Sequence, residues 1–204
     1  NAHRGDYDMS LKVDSMYEKT RTLVKELINA KSEKEIVFTS GATDSLNKII
    51  FGYAKNILNE EDEVLITKAE HASNILPWFE LSDQIGIKVK YIDLTDDYKV
   101  TLDNVKKSIT AKTKIISLAH ITNVVGDVRP LEEIIEYAHK NNILVIVDGA
   151  QAVAHKPVDV QKLDIDFLAF SAHKMCGPTG VGVLYGKEEL LKNMMPIILG
   201  GGMN

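Results

Sequence analysis

The chain of 204 residues is 45% hydrophobic and 26% charged, which suits one globular domain with a full core. Its formal net charge of −5 argues against nucleic-acid partners, because these require clustered positive charge. No apolar run approaches the roughly 20 residues that span a bilayer, and no signal peptide is visible at the polar start. The single cysteine, Cys176, fits a reducing compartment. We therefore expect a cytoplasmic protein with no nucleic-acid or membrane partner.

Apolar spacing predicts helices and strands that alternate along the chain. The first helix, over 14–30, has its apolar residues three and four positions apart, which places them on one helical face. Further helices are predicted over 44–58, 75–85, 101–109, 130–141 and 188–194. Strands are predicted over 35–39, 63–67, 87–94, 114–119, 143–147, 166–170 and 181–185.

This alternation predicts an α/β fold with a mostly parallel central sheet and helices on both faces, because parallel strands need crossover connections that are usually helical. The short connection between the strands at 166–170 and 181–185 allows one antiparallel strand. No repeat, low-complexity segment or linker divides the sequence.

Polar side chains follow the predicted strands at their C-terminal ends, which lie along one edge of a parallel sheet. Asp148 directly follows the apolar strand ILVIV, and Lys174 lies on a loop that Gly177 and Pro178 keep irregular. The turn before the helix at 44–58 combines small residues with a helix N-terminus, which favours an anion. The residues at these ends are Thr43, His71, Asn123, Asp148, Gln151, Ser171, His173 and Lys174.

Each of these residues also has an ordinary structural explanation. A loop lysine is most often solvated, and Ser40 or Thr43 could merely cap the helix. Their shared position is the stronger signal, because one cofactor, pyridoxal phosphate, would use all of them. Lys174 could hold its aldehyde as an imine, Asp148 could keep its pyridine nitrogen protonated, and the turn at Ala42 could hold its phosphate.

Five runs of the sequence resemble motifs of the class V aminotransferase superfamily, whose members are fold-type I pyridoxal-phosphate (PLP) enzymes. The runs are SGATDSLN at 40–47, EHASN at 70–74, HITNVVG at 120–126, DGAQ at 148–151 and SAHKMCGPTG at 171–180. They occur in order over essentially the whole chain, and they are most similar to the SUF-type, or group II, cysteine desulfurases, whose relatives include selenocysteine lyases. The resemblance implies a PLP-dependent cysteine desulfurase.

The resemblance also implies a role for each motif residue. Lys174 would bind the cofactor covalently and move protons at the substrate α-carbon, and His71 would stack over the ring and act in acid–base steps. Asp148 would pair with the pyridine nitrogen, Gln151 with the phenolic oxygen, and Asn123 would contact cofactor or substrate near that oxygen. The phosphate would be bound by Ala42, Thr43, Ser171 and His173.

The implied reaction converts L-cysteine to L-alanine and leaves the sulfur as an enzyme-bound persulfide, for a scaffold protein in iron–sulfur cluster assembly. A homodimer is implied as well, with His3, Arg4 and Gly5 lining the site near its interface. Residues 1–204 resemble the cofactor-binding large domain. The family's N-terminal segment, C-terminal small domain, persulfide cysteine and carboxylate-binding arginine are therefore expected outside this chain, which by itself would be inactive. Cys176 is expected to be a packed small residue without a catalytic role.

Other interpretations remain open at this point. Another class V activity, such as that of a selenocysteine lyase, an aminotransferase or an epimerase, would use the same cofactor residues. A catalytically incompetent piece could serve only in folding or dimerisation. A Rossmann dinucleotide-binding domain fits poorly, because no G-x-G-x-x-G run follows the first predicted strand.

Overall fold

The computed structural model describes residues 7–200. The predicted role of His3, Arg4 and Gly5 concerns residues outside this range. Within the range, the chain forms one seven-stranded sheet with helices packed against it. None of the helices in the described range is long and apolar enough to cross a membrane.

The strands of the sheet are β1 (Ile36–Thr39), β2 (Glu63–Ile66), β3 (Lys88–Tyr91), β4 (Thr113–Ala119), β5 (Leu144–Asp148), β6 (Phe167–Ser171) and β7 (Gly182–Gly186). Their order across the sheet is β1-β7-β6-β5-β4-β2-β3. β7 is antiparallel to both of its neighbours, β1 and β6, whereas all other pairings are parallel. The predicted sheet, mostly parallel with one antiparallel strand, is confirmed, although β3 is shorter than predicted.

The helices are α1 (Asp8–Leu27), α2 (Ala42–Ile49), α3 (Lys55–Ile57), α4 (Leu76–Ile85), α5 (Leu102–Ser108), α6 (Leu131–Lys140), α7 (Ala152–His155) and α8 (Glu188–Leu191). The predicted helix over 44–58 is α2 and α3 joined by a π-helical segment, Ile50–Ala54. α8 ends at Leu191, before the predicted end at 194. α7 was not predicted, because four residues are too few to show a periodic apolar pattern.

Helices cover both faces of the sheet, as predicted. Successive side chains of a strand point to opposite faces, and β5 is apolar on both. Val145 and Val147 pack in one core cluster with Ile134 of α6. Ile146, between them, packs in a second cluster with Trp78 of α4. A central strand buried on both faces leaves its polar C-terminal end as the place where functional groups can emerge.

Only part of the apolar side of the first helix meets the core. Ile28, which follows α1, is buried, and Val24 packs against the core. Met16 is 68% exposed, Leu23 is 55% exposed and Leu27 is 48% exposed. The spacing correctly placed these side chains on one side of a helix, but it could not show whether that side meets the sheet. The helix also begins earlier than predicted, at Asp8.

β7 passes very close to the turn that follows β1. A Cβ atom at Gly182 would lie 2.4 Å from the Cα atom of Gly41, so no side chain fits there unless the backbone moves. Gly41 has a φ angle of 155° and directly precedes Ala42, the first residue of α2. This close approach fixes where α2 begins relative to the sheet.

We expect Gly182→Ala to lower the free energy of unfolding by about 1–3 kcal/mol, the usual range for overpacking, because it forces two backbone segments apart. Gly186→Ala, at the other end of β7, is the matched control. Its Cβ atom would meet the side chains of Phe167 and Leu191, which can move, so we expect a smaller loss. Urea unfolding followed by circular dichroism measures the free energy of unfolding of both variants. Equal decreases would contradict the view that the contact between two backbone segments makes Gly182 the more sensitive position.

Candidate active site at the ends of the strands

A cavity of about 160 Å³ lies at the C-terminal ends of the parallel strands, beside the start of α2. The structure brings all nine residues predicted for the site to its lining: Ala42, Thr43, His71, Asn123, Asp148, Gln151, Ser171, His173 and Lys174. These residues come from separate segments of the chain, and the common edge of the sheet assembles them. Their location is a structural fact, whereas their individual roles stay predictions.

Some lining residues were not predicted, namely Ser73, Ala119, Ile121 and Ala150. Each lies within two residues of a predicted one or at a strand end, which was the available signal. His120, which begins the HITNVVG run, does not contribute to the lining. Its side chain is buried, and this burial, with a smaller effect of the Lys156 charge, lowers the pKa of its imidazole to about 4. His120 is therefore a neutral residue of the interior at physiological pH.

The N-terminus of α2 forms the part of the cavity suited to an anion. The backbone N–H of Ala42 donates to Oγ of Ser171 over 2.7 Å, which ties the start of the helix to the end of β6. Oγ1 of Thr43 lies 2.7 Å from Oγ of Ser73. In residues 7–200, the backbone N–H of Thr43 has no acceptor, and the helix dipole adds partial positive charge there. These features together suit a phosphate group.

Asp148 provides a buried carboxylate at the end of β5. The residue is 6% exposed, and its Oδ1 accepts a hydrogen bond from the N–H of Ala150 over 2.9 Å. Within the described range, its other oxygen, Oδ2, accepts no hydrogen bond from the chain. Burial raises the pKa of Asp148, and the Glu70 charge adds to this, whereas the Ala150 hydrogen bond and the charges of Lys174 and His71 oppose it. A cationic or proton-donating ligand would offset the free-energy cost of burying this carboxylate.

His71 lies at the start of a short 3₁₀ turn, Ala72–Asn74, after β2. Its ring nitrogen Nδ1 accepts a hydrogen bond from the backbone N–H of Ser73 over 3.1 Å and lies 3.0 Å from Oγ of the same residue. Because Nδ1 is an acceptor, the neutral ring carries its proton on Nε2. The exposed imidazole is thus held in one orientation at the cavity.

Lys174 lies on a 3₁₀ turn, Ala172–Met175, directly after β6. The N–H of Gly177 donates to the carbonyl oxygen of Ala172 over 2.9 Å and closes the turn. The Lys174 side chain is half-buried, and its charge acts on Asp148 across the cavity. Cys176 is exposed and does not line the cavity, so the prediction that it is a packed residue was wrong.

The family model for class V aminotransferases matches residues 1–204, and the chain belongs to this family. A probable cysteine desulfurase from Halalkalibacterium halodurans is 42% identical over 203 residues, an alignment that covers 100% of this chain and 50% of the relative. The chain spans about half the length of the curated relatives it matches.

Solved structures with the same fold include enzymes named as desulfurases. The cysteine desulfurase CsdA from Escherichia coli superimposes with a TM-score of 0.92 at 42% identity, covering 100% of this chain and 51% of CsdA. A C-DES variant carries glycine covalently linked to its PLP cofactor. It superimposes with a TM-score of 0.87 at 25% identity, covering 97% of this chain and 53% of C-DES.

The buried carboxylate predicts a pH-dependent change in stability. Since burial raises the pKa of Asp148 in the folded chain, the folded state holds the proton more tightly, and stability is lost as pH rises from the ordinary carboxyl pKa through the raised value. We expect Asp148→Asn to unfold at a higher temperature than the original chain near neutral pH, without added ligands. The difference should disappear in acid, and scanning calorimetry across pH measures it.

Asp159→Asn is the control, and it should change the unfolding temperature in the opposite direction. The pKa of Asp159 is lowered, chiefly by a hydrogen bond from the backbone N–H of Lys162, so its stabilising effect is present above the ordinary carboxyl pKa and lost in acid. This variant should unfold at a slightly lower temperature near neutral pH. A destabilised Asp148→Asn would contradict the account of the buried carboxylate.

Proposed function

We propose that the protein containing this chain is a pyridoxal-phosphate-dependent cysteine desulfurase. The observation that carries the proposal is the convergence of Lys174, the buried Asp148 and the N-terminus of α2 in one cavity. The names of the relatives support L-cysteine as the substrate, and the cofactor of C-DES supports pyridoxal phosphate.

The chemistry of the cavity fits this cofactor. The free N–H of Thr43 at the start of α2 suits a phosphate. The Oδ2 atom of Asp148 suits a protonated ring nitrogen, because a buried carboxylate gains from a cationic partner. Lys174 offers a primary amine for the aldehyde. Bound in this way, the cofactor would supply an electron sink that acidifies the α-hydrogen of an amino-acid substrate.

The chain's own residues would divide the remaining tasks. Asp148 would hold the proton on the ring nitrogen. Nζ of Lys174, once free of the cofactor, would take the proton from the substrate α-carbon and return protons later. His71 would cover one face of the ring, with the proton on its Nε2 available for acid–base steps. Gln151 and Asn123 would orient the phenolic oxygen, and the phosphate would be held by Ala42, Thr43, Ser171 and His173.

The sulfur step would need a thiolate. The Cβ–S bond of L-cysteine breaks, an S–S bond forms with an enzyme cysteine, and a proton takes the place of sulfur at Cβ to give L-alanine. Cys176 is a poor candidate for that thiolate, because it is exposed and does not line the cavity. We therefore propose that residues 1–204 act as the cofactor-binding large domain, and that the persulfide cysteine and the carboxylate-binding arginine belong to other parts of the protein.

The cellular setting is proposed from the family resemblance. The persulfide sulfur would pass to a scaffold protein for iron–sulfur cluster assembly in the cytoplasm, and the enzyme would act as a homodimer. The presence of one cysteine in the chain supports a reducing compartment.

We expect Lys174→Ala to abolish the visible absorbance that purified protein acquires with pyridoxal phosphate and loses with borohydride. The reason is that a reducible linkage requires the amine of this lysine. Absorbance spectra recorded before and after borohydride measure the change. Lys107→Ala, which alters an exposed lysine of α5 outside the cavity lining, should keep the full signal. Retention of the reducible band in Lys174→Ala would refute the assignment of this lysine.

A further inference from the structure

A buried ion pair lies behind the wall of the cavity, between Glu70 and Arg129. Both side chains are 0% exposed, and Nη1 of Arg129 donates to Oε1 of Glu70. Neither residue lines the cavity. Burying two charges away from water is costly unless their remaining polar atoms are well paired, so the partners of this pair indicate what it holds in place.

The hydrogen-bond partners of the Glu70 and Arg129 side chains lie at the ends of two neighbouring strands and on the turn that follows one of them. Oε2 of Glu70 accepts hydrogen bonds from the backbone N–H of Ala119 over 2.6 Å and from Nδ2 of Asn74 over 3.0 Å. Its Oε1 accepts one from Oγ1 of Thr67 over 2.8 Å, and Nη2 of Arg129 donates to the same Thr67 oxygen over 3.0 Å. Thr67 follows β2 and Ala119 ends β4, so the pair fastens these two strand ends together.

Two loops that carry cavity residues depend on these contacts. His71 directly follows Glu70, and Asn74, which Glu70 binds, ends the same 3₁₀ turn. On the β4 side, the backbone N–H of Arg129 donates to the carbonyl oxygen of His120 over 3.0 Å. This contact closes the 120–129 loop, in which Asn123 reaches the cavity. The side-chain hydrogen bonds of Glu70 and Arg129 are charge-assisted, hence short and directional, so they restrict how far the two loops can separate.

The pair also acts on the electrostatics of the site. The Glu70 charge contributes to the raised pKa of Asp148, so the two carboxylates interact through the interior. Arg129 opposes the Glu70 charge at direct contact. Without the guanidinium, the Glu70 carboxylate would stay buried without its counter-charge and would still raise the pKa of Asp148.

We propose that Glu70 and Arg129 are positioning residues that hold the loops of His71 and Asn123 together around the bound cofactor without touching it. The inference rests on the proposed function for the identity of the cofactor. The restraint on His71, however, is a property of the chain alone and can be measured without cofactor.

The test compares Glu70→Gln, which keeps the shape of the side chain, with Arg129→Met and with the double variant. We expect each single variant to raise the dissociation constant for pyridoxal phosphate by about tenfold, and the double variant to be no worse than the worse single one, as for residues that act together. Lys187→Met is the matched control. It breaks an ion pair with the buried Asp166, 2.8 Å away at the opposite edge of the sheet, so it should lower the melting temperature without changing the dissociation constant.

A second readout follows the His71 ring by ¹⁵N NMR in the cofactor-free chain, with the signals assigned by their loss in His71→Ala. In the original chain and in Lys187→Met, we expect the ¹⁵N chemical shifts of the His71 ring to show the proton on Nε2. In Glu70→Gln and Arg129→Met, we expect the two ring-nitrogen shifts to be averaged, because the ring is no longer held in one orientation.

If Arg129→Met does not fold, Glu70→Gln carries the test. Unchanged His71 signals, with a dissociation constant like that of Lys187→Met, would overturn the proposal. If the full protein that contains this chain binds no pyridoxal phosphate, the proposed function fails, and the His71 signals alone then decide the positioning role.

Discussion

The candidate site depends on one carboxylate that the sheet keeps away from water. Asp148 ends the central strand β5, where it pairs with Ala119 of β4 and Ala169 of β6. Its burial raises its pKa, so this placement opposes the stability of the folded chain rather than supporting it. A cationic ligand would stabilise the buried carboxylate, and the residues at the surrounding strand ends supply groups that would bind such a ligand.

The groups that face the cavity and the groups that fix their positions occupy different layers. His71, Asn123 and Lys174 lie on turns after strands, where a small shift of the backbone would change what they contact. Beneath two of these turns, the buried Glu70–Arg129 pair joins the ends of β2 and β4. A rigid parallel sheet alone would leave the loops free to move, because its hydrogen bonds end with the strands. The buried pair extends that rigidity into the turns.

Much of the fold and the membership of the cavity could be predicted from the sequence. Long apolar runs such as β5 indicate strands that are buried on both faces. Polar and charged residues that directly follow these runs, such as Asp148, indicate the edge of the sheet where the parallel strands end. The surroundings of α1 could not be predicted, because spacing shows that Met16 and Leu23 share a side of the helix but does not show what that side meets. The Glu70–Arg129 pair was also beyond prediction. The two residues are 59 positions apart, and no pattern in the sequence tells which acid pairs with which base in the interior.

The assignment of the strand-end cavity as a pyridoxal-phosphate site, with Lys174 as its covalent anchor, can be tested chemically. The most direct measurement is to reduce the protein with borohydride after exposure to pyridoxal phosphate, digest it, and locate the attached pyridoxyl group by mass spectrometry. We expect one modified peptide, the one that contains Lys174. A label on a different lysine, or a label spread over exposed lysines such as Lys68 and Lys107, would contradict it.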